Sequence, residues 1–453
     1  MRKVLKTRYL SLLLVFAFVI SFAVTKLDTT KAEVKPGSKG TVVFWGGQFD
    51  PADKPFEDFE KKTGYKVSYP VNFVDQSKLF AAIASGNPPD AVFIYNDWII
   101  PLAAQKALRP IDEYMSKAKD ISYKEFLPFT LKWGEYKGKH YSLPWDIDFD
   151  VLYWNKDLFE QAGLDPDRPP QTWDELKKYI KILTKYDSKG NIVQLGMDLP
   201  QWSASQALNT FMYQLGVNWV DPYGKSMALN KNVRKAVDMV IELAKMCGKG
   251  IESKKSKDVD FAFEKGNIAM HIDDSVWRPR DAYRNNANLK WDLTLIPAPD
   301  TKTKRVTPGY ATWALALPSG SKNPQGGFDI IKWFASDVPY QWIVEGFKQN
   351  NKTPWPYMIA HKNMYEYVKN TMVPQIANPV IKNALGHKMQ ILEKNVVFTA
   401  RQTDFDYGSV VSPIWDKIQT LQISPAQGLA EIDKQLKAGL KEHLKKVAQR
   451  NKK

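Results

Sequence analysis

From Thr41 onward the chain alternates between two hydrophobic rhythms. Short solid apolar runs read as buried strands, and longer stretches with apolar residues three and four apart read as amphipathic helices. Residues 41–45 (TVVFW) predict a strand, residues 51–62 a helix that turns Phe56 and Phe59 inward, and Gly64 its stop. Residues 65–71 predict the next strand. Asp75 then caps a helix with Leu79 and Ile83 inward, which ends at Ser85-Gly86. Asn87-Pro88-Pro89-Asp90 turns the chain into a strand over 91–95. This βαβαβ order predicts an α/β domain whose ligand edge lies at the carboxyl ends of its strands. Trp45-Gly46-Gly47-Gln48 and Asn96-Asp97-Trp98 sit at two such ends.

Further along, YSLPWDIDFDVLYWNKDLFEQAGL (141–164) sets two Trp and three Asp beside a buried strand and an amphipathic helix. Flat apolar faces next to hydrogen-bonding carboxylates suit a sugar ring, which is greasy on its C–H faces and polar at its edge. Thr172 with Glu175 predicts a capping box before WDELKKYIKIL. Residues 197–202 lead into a helix carrying Ala207, Phe211 and Leu215, and 217–229 suggest a hairpin around Asp221-Pro222-Tyr223-Gly224. Residues 232–246 and 259–265 read as helices and 268–272 as a strand. Residues 291–296 and 310–317 read as strands that link two lobes. The last helix starts at Ser424-Pro425, with Leu429, Ile432, Leu436, Leu440 and Leu444 along one face.

Composition narrows the class. The 453 residues, 44% apolar and 13% aromatic, are enough for two cores. Formal charge is +15. Six basic residues and Asp28 fall within residues 1–32, leaving about +10 beyond them. The charges are scattered, densest on the final helix and tail from Lys437, and no basic residues interleave with a stacking platform. Nucleic-acid binding is therefore not expected.

Arg2, Lys3, Lys6 and Arg8 precede an apolar run over 9–24, shorter than the roughly 20 residues of a spanning helix. Thr30-Lys31-Ala32 supplies small residues for a peptidase, so residues 1–32 are expected to be an export signal cleaved after Ala32, with an uncleaved anchor as the alternative. The single cysteine, Cys247, lies far downstream in a helical stretch, so no thiol stands at the signal junction for lipidation and no intrachain disulfide can form. It reads as a small buried apolar residue.

The order strand-Trp-Gly, PFEDFEKKTGYKV, KLFAAIASGNPPDAV, GKHYSLPWDIDFDVLYWNKDLFEQAGL, PQTWDELKKYIKIL, FAFEKGNIAMHIDDSVW, PGYATWALALPSGSKNP and ISPAQGLAEIDKQLKAGL resembles the extracellular solute-binding proteins of ABC importers, in the sugar-binding class related to maltose-binding protein. The resemblance covers nearly all of the chain after the signal. It implies a two-lobed periplasmic-binding-protein-like fold, each lobe a mainly parallel sheet flanked by helices, with the ligand cleft between lobes. One lobe would take 40–147 plus 306–352, the other 148–305 plus 353–453. Many relatives in single-membrane bacteria resemble lipoproteins; the missing cysteine leaves lipid anchoring unexpected here. The resemblance further implies a monomer without cofactor that closes on a carbohydrate and delivers it to membrane permease subunits.

The expected contacts combine aromatic faces with hydrogen-bonding edges. In the first lobe they are Trp45, Gln48, Asn96, Asp97 and Trp98 at strand ends, then Trp145 and Asp146, with Asp148 where the second lobe begins. Asp148 resembles the place where relatives use a carboxylate for sugar hydroxyls. Asp146, Asp148 and Asp150 alternate and so share one strand face. An EF-hand-like calcium loop would need glycine where Val151 stands, so no metal is expected. In the second lobe the expected contacts are Trp202, Asp274, Trp277 and Tyr407, with Tyr310 and Trp313 on the linking strand; similar proteins place a stacking Trp where Trp277 stands. Trp145, Asp148 and Trp277 are expected to border one crevice. Arg278, Arg280 and Arg401 lie near these positions in sequence only, which favours a neutral oligosaccharide and leaves uronides and amino sugars open.

Two other functions compete. A secreted glycoside hydrolase would need a paired acid and nucleophile, and no feature singles out such a pair among 49 acidic residues. There is no HExxH or nucleophile elbow. A wall-associated carbohydrate-binding adhesin would share the aromatic and acidic contacts but not the dependence of uptake on the protein.

Overall fold

The computed structural model describes residues 35, 37–47, 56–220, 230–247, 254–275, 285–339, 358–398 and 403–450. The expected signal (1–32), Gln48, Trp277, Arg278, Arg280, Arg401 and the turn of the expected 217–229 hairpin lie outside them. Two compact units are distinguished, the smaller comprising, among these residues, 35, 37–40 and Phe56–Lys66. In it the helix Glu57–Thr63 stops at Gly64, whose φ of 81° is the left-handed geometry that glycine adopts without strain. Phe59 stacks on Tyr65 at 6.1 Å.

The larger unit holds two six-stranded sheets. In the first, Lys66–Val71, Thr41–Gly46, Ala91–Tyr95, Trp313–Pro318 and Leu108–Arg109 follow in that order, and Ser142–Pro144 also pairs with Trp313–Pro318. The solid apolar run of Ala91–Tyr95 is buried on both faces, as a central strand requires. Asp75 caps the helix Gln76–Ala84 by accepting from the Ser77 and Lys78 N–H groups, which satisfies donors that the first turn leaves open. Gly46 has φ of 100°, and a Cβ there would overlap the Phe93 carbonyl, so only glycine fits the end of the Thr41 strand. Val92, Ile94, Leu79, Leu102 and Ala316 form the core against this sheet.

The second sheet is organised by the ten-residue strand Asp146–Asn155, every residue of which is buried. Met270–Asp274, Trp291–Thr294, Thr307–Tyr310 and Met358–Ile359 all pair with it antiparallel. Val396–Phe398 adds to the Thr307 strand in parallel. Helices Trp173–Leu183, Gln201–Gln214, Lys231–Cys247, Gly408–Gln419 and Pro425–Arg450 cover it, and Cys247, Ile432, Leu436 and Leu440 lie in their common core.

Both sheets are mixed rather than mainly parallel. The reason is the crossings: a strand that arrives from the other sheet enters against the direction of its neighbours, as Trp313–Pro318 does beside Ala91–Tyr95. The first crossing is at Trp145, between Ser142–Pro144 and Asp146–Asn155. The second falls at Ala311–Thr312, because Thr307–Tyr310 belongs to the second sheet and Trp313–Pro318 to the first. The expected linking strand over 310–317 is thus two strands with the crossing between them, and Trp291–Thr294 stays within the second sheet. Residues 259–265 give only the short 3-10 turn Phe263–Lys265, and the chain ahead of the Gln201–Gln214 helix makes single bridges at Leu195 and Asp198. No helix among the described residues is long and apolar enough to cross a membrane.

Main-chain hydrogen bonds lace the crossings together. Trp145 donates its N–H to the Trp313 carbonyl at 3.0 Å, and its own carbonyl accepts from Ala360 N–H at 3.0 Å. Ala360 follows the Met358–Ile359 strand, where the chain re-enters the second sheet.

Candidate functional site

The carboxyl end of Ala91–Tyr95 runs straight into a 3-10 turn, Asn96–Trp98, which throws Tyr95, Asp97 and Trp98 to one side. They form one wall of a cavity of about 670 Å³, joined by Trp133. Tyr95 stacks on Trp313 at 4.4 Å and meets Trp98 edge-on at 5.4 Å, so the wall is a braced aromatic shelf.

The opposite wall comes from two helices and a loop. Gln201–Gln214 presents Ser205, Leu208, Asn209 and Tyr213, positions three and four apart on one face. Tyr407, Gly408, Val411, Ser412 and Trp415 come from the start of Gly408–Gln419, and Asn218 and Trp219 close one side. Trp415 donates its indole N–H to Ser205 Oγ at 2.9 Å, which ties the helices together. The crossing segment from Pro308 to Thr312 and Asp150 complete the lining.

Beneath the cavity lies a set of buried carboxyl groups on the Asp146 strand and its neighbour. Asp146 Oδ1 accepts the Thr312 and Trp313 N–H groups, both at 3.0 Å, and so fixes the second crossing. Asp148 Oδ1 accepts from Ser275 N–H at 3.0 Å and Ser275 Oγ at 2.8 Å. Asp150 Oδ1 accepts the Tyr310 hydroxyl at 2.9 Å. Asp274 pairs in register with Asp150, and the fully buried Lys388 gives Nζ to the Ser275 carbonyl at 2.6 Å.

Burial sets the electrostatics, because it disfavours charge. It pushes the Asp146 carboxyl up to about 7 against the hydrogen bonds from Trp313 and Thr312. It pushes Asp150 up to about 8 against the Tyr310 hydrogen bond, with Asp274 and Asp273 adding repulsion. Asp148 is raised by burial and by Asp274, although Lys388 and Ser275 pull the other way. Lys388 is lowered to about 8, again by burial, against the attraction of Asp148, Asp274 and Asp146. Among the described residues no cluster of three acid, histidine or cysteine side chains is arranged to hold a metal ion.

Of the residues singled out from sequence, Asp97, Trp98, Tyr310 and Tyr407 line the cavity. Trp313 stands behind Tyr95 and stacks on Phe93 as well, at 5.4 Å. Asn96 is buried and gives its N–H to the Thr312 carbonyl; its neighbours, not its own side chain, reach the lining. Asp146, Asp148 and Asp274 support the floor without lining it. Trp145 is a correction: at 3% exposure it packs against Phe93 and Phe334 in the core, because the crossing turns its indole away from the cavity. Asp148 likewise faces Ser275, and Trp277, the third member of the expected crevice, lies outside the described residues. Trp45 packs on the first core beneath Lys78, and Trp202, 43% exposed, lies outside the lining with its ring edge toward His271.

Sequence reasoning missed Tyr95, Trp133, Tyr213, Trp219 and Trp415 as cavity residues. Tyr95 carried the one usable signal, its position at the end of a central strand.

An aromatic cavity at the carboxyl end of a central strand, spanned by crossing strands, belongs to the two-lobed solute-binding fold. The mannotriose-bound structure of CpMnBP1 shares that fold with a TM-score of 0.69 at 23% identity, over 88% of this chain and 99% of that one. The profile of the bacterial extracellular solute-binding protein family matches residues 46–340, and the chain belongs to that family. A putative binding protein of Brucella abortus (strain 2308) is 28% identical over 325 residues, 68% of this chain and 73% of that protein. The sn-glycerol-3-phosphate-binding periplasmic protein UgpB of Escherichia coli (strain K12) is 25% identical over 296 residues, 61% of this chain and 66% of that protein. Membership makes the chain an extracytoplasmic solute-binding protein and places it among binders rather than enzymes.

Proposed function

We propose that this chain captures a sugar, in particular an oligosaccharide, in the 670 Å³ cavity and hands it to the membrane permease of an ABC importer. The observation that carries this is the lining: Tyr95, Trp98, Trp133, Tyr213, Trp219, Tyr310, Tyr407 and Trp415 offer ring faces, and Asp97, Asp150, Ser205, Asn209 and Asn218 offer polar edges. That pairing suits a ring with apolar faces and a hydroxylated rim. The volume falls in the range of small-molecule sites. Mannotriose in CpMnBP1 supports the same cargo class. Glycerol phosphate, the cargo named for the Escherichia coli relative, would call for a cation at its phosphate, and no Lys, Arg or His is among the described lining residues.

The lobes in this reading are divided at Trp145, at Ala311–Thr312, and between Pro339 and Met358. Cargo that touches both walls favours the closed form, which the permease recognises. Export with cleavage after Ala32, life as a monomer and freedom from a lipid anchor belong to the same proposal. A thermal-shift screen of mono- and oligosaccharides with glycerol phosphate beside them tests it, since ligands of the folded state raise its midpoint. Oligosaccharides are expected to raise it and to be recovered uncut. A shift with glycerol phosphate alone would overturn the sugar reading.

A further inference from the structure

Asp150 differs from the other acids of its strand. It is 1% exposed and yet lines the cavity. The Tyr310 hydroxyl holds Oδ1 at 2.9 Å, and Thr307 Oγ1 donates to the Asp150 main-chain carbonyl at 2.9 Å, so the group is fixed from two sides. Its Oδ2 receives no hydrogen bond from a described residue and, unlike Asp146 Oδ2, is not sealed off by its neighbours. Oδ2 is therefore the acceptor left open to the cavity.

The ionisable groups nearest it are acids as well. Asp274 stands opposite in register, Asp273 is next to it, and Asp148 lies two residues earlier on the same strand face. Lys388 is turned to the Ser275 carbonyl on the Asp148 side. The other acid of the lining is Asp97, and the walls are aromatic rings, whose faces attract cations.

We propose that Asp150 seats a protonated primary amine of the cargo, so that the protein prefers amino sugars with a free amine over their hydroxyl, N-acetyl and acidic counterparts. This deepens the sugar reading above and rests on it. A hydroxyl offers Oδ2 a neutral hydrogen bond; an ammonium offers a charge-assisted one, roughly twice as strong. An acetamido group brings bulk without charge, and a uronate or phosphate finds no Lys, Arg or His among the described lining residues to pair with. The chain's net charge of +15 opposes a cation only at long range, since screening at physiological salt acts over about 8 Å. Burial holds the Asp150 carboxyl near 8, so in the empty cavity it is protonated at neutral pH. Docking of R–NH3⁺ displaces that proton to solvent and leaves a carboxylate–ammonium pair; no bond other than O–H breaks.

Calorimetry on the whole protein tests this with four matched pairs: glucosamine, galactosamine and mannosamine against their hydroxyl parents, and a glucosamine trisaccharide against the hydroxyl trisaccharide of the same linkage. N-acetyl and uronate forms are controls. At least one amine is expected to bind roughly tenfold tighter than its parent, a 1.4 kcal/mol step. Near pH 6.5 it should release about one proton per ligand, read from the buffer dependence of the enthalpy, against about none for the parent. Asp150→Asn is expected to abolish both differences, leaving amine and parent with affinities within about threefold of each other. Parents that bind as well as the amines, or an amine preference that survives Asp150→Asn, overturn the proposal and leave the sugar reading standing. Failure of every sugar to bind would instead sink that reading. The wild-type comparison decides the matter alone should the variant not fold.

Discussion

The two sides of the cavity are built on different principles. On the shelf, Tyr95 and Trp98 hang from the end of one strand, Tyr95 braced by Trp313 and Trp98 packed on the first core, and Trp133 joins them from a separate turn. The floor is a strand without an exposed residue, and each of its acids already holds something: Asp146 the crossing, Asp148 Ser275, Asp150 Tyr310. Shelf residues meet the fold through ring contacts, which leaves faces and edges of the rings for a ligand. Floor residues serve the fold first, and one open oxygen on Asp150 is what remains for cargo.

The largest effect expected from this contrast is on stability against pH. Asp146 and Asp150 have folded values near 7 and 8, above their unfolded values, so their contribution is fully present below about pH 4 and is lost as pH rises through 7 and 8. The loss is expected to be on the order of several kcal/mol. Lys388, lowered to about 8, acts in the opposite sense: its unfolded form binds the extra proton, so part of the stability returns between about 8 and 10.5. Urea unfolding from pH 4.5 to 9.5 should show the decline, and Asp146→Asn with Asp150→Asn should flatten it. An unchanged slope in that double variant would show that the floor acids do not titrate as described.

Next comes Asp148→Ala, which strips Ser275 of its acceptor and leaves the Lys388 ammonium buried without its closest counter-charge; the expected cost is ~3–5 kcal/mol in urea unfolding. A cost below ~1 kcal/mol would mean that Lys388 is neutral in the folded protein. On the shelf, Trp98→Ala should weaken the best sugar at least about tenfold, ~1.4 kcal/mol, with the midpoint of the unliganded protein nearly unchanged. If melting falls as steeply as affinity, the contrast between the sides fails. The smallest effect belongs to Trp145→Phe, which should leave sugar affinity within about twofold, because the indole lies behind the cavity. A larger loss would return Trp145 to the ligand.

Much of the scaffold was legible in the hydrophobic pattern. The strand over 91–95, the Asp75 cap and the Thr172 cap are local, and local rules predict them. The second crossing was displaced because Tyr310 and Trp313 sit in one apolar run, and nothing local reveals that the run changes sheets at Ala311–Thr312. Trp98 and Trp145 show the same limit for the site. Both follow buried strands, but only the 3-10 turn after Tyr95 directs an indole into the cavity. Tyr213 and Trp415 lie on amphipathic helices, where an aromatic residue reads as core; which part of the apolar stripe stays uncovered depends on the partner helix.

Trp145 passes a hydrogen bond to each neighbouring pass of the chain, one through its N–H and one through its carbonyl. A protease that severed either neighbouring pass would leave the other still stitched to Trp145, so the nicked polypeptide should migrate intact on a sizing column and separate into fragments only in denaturant.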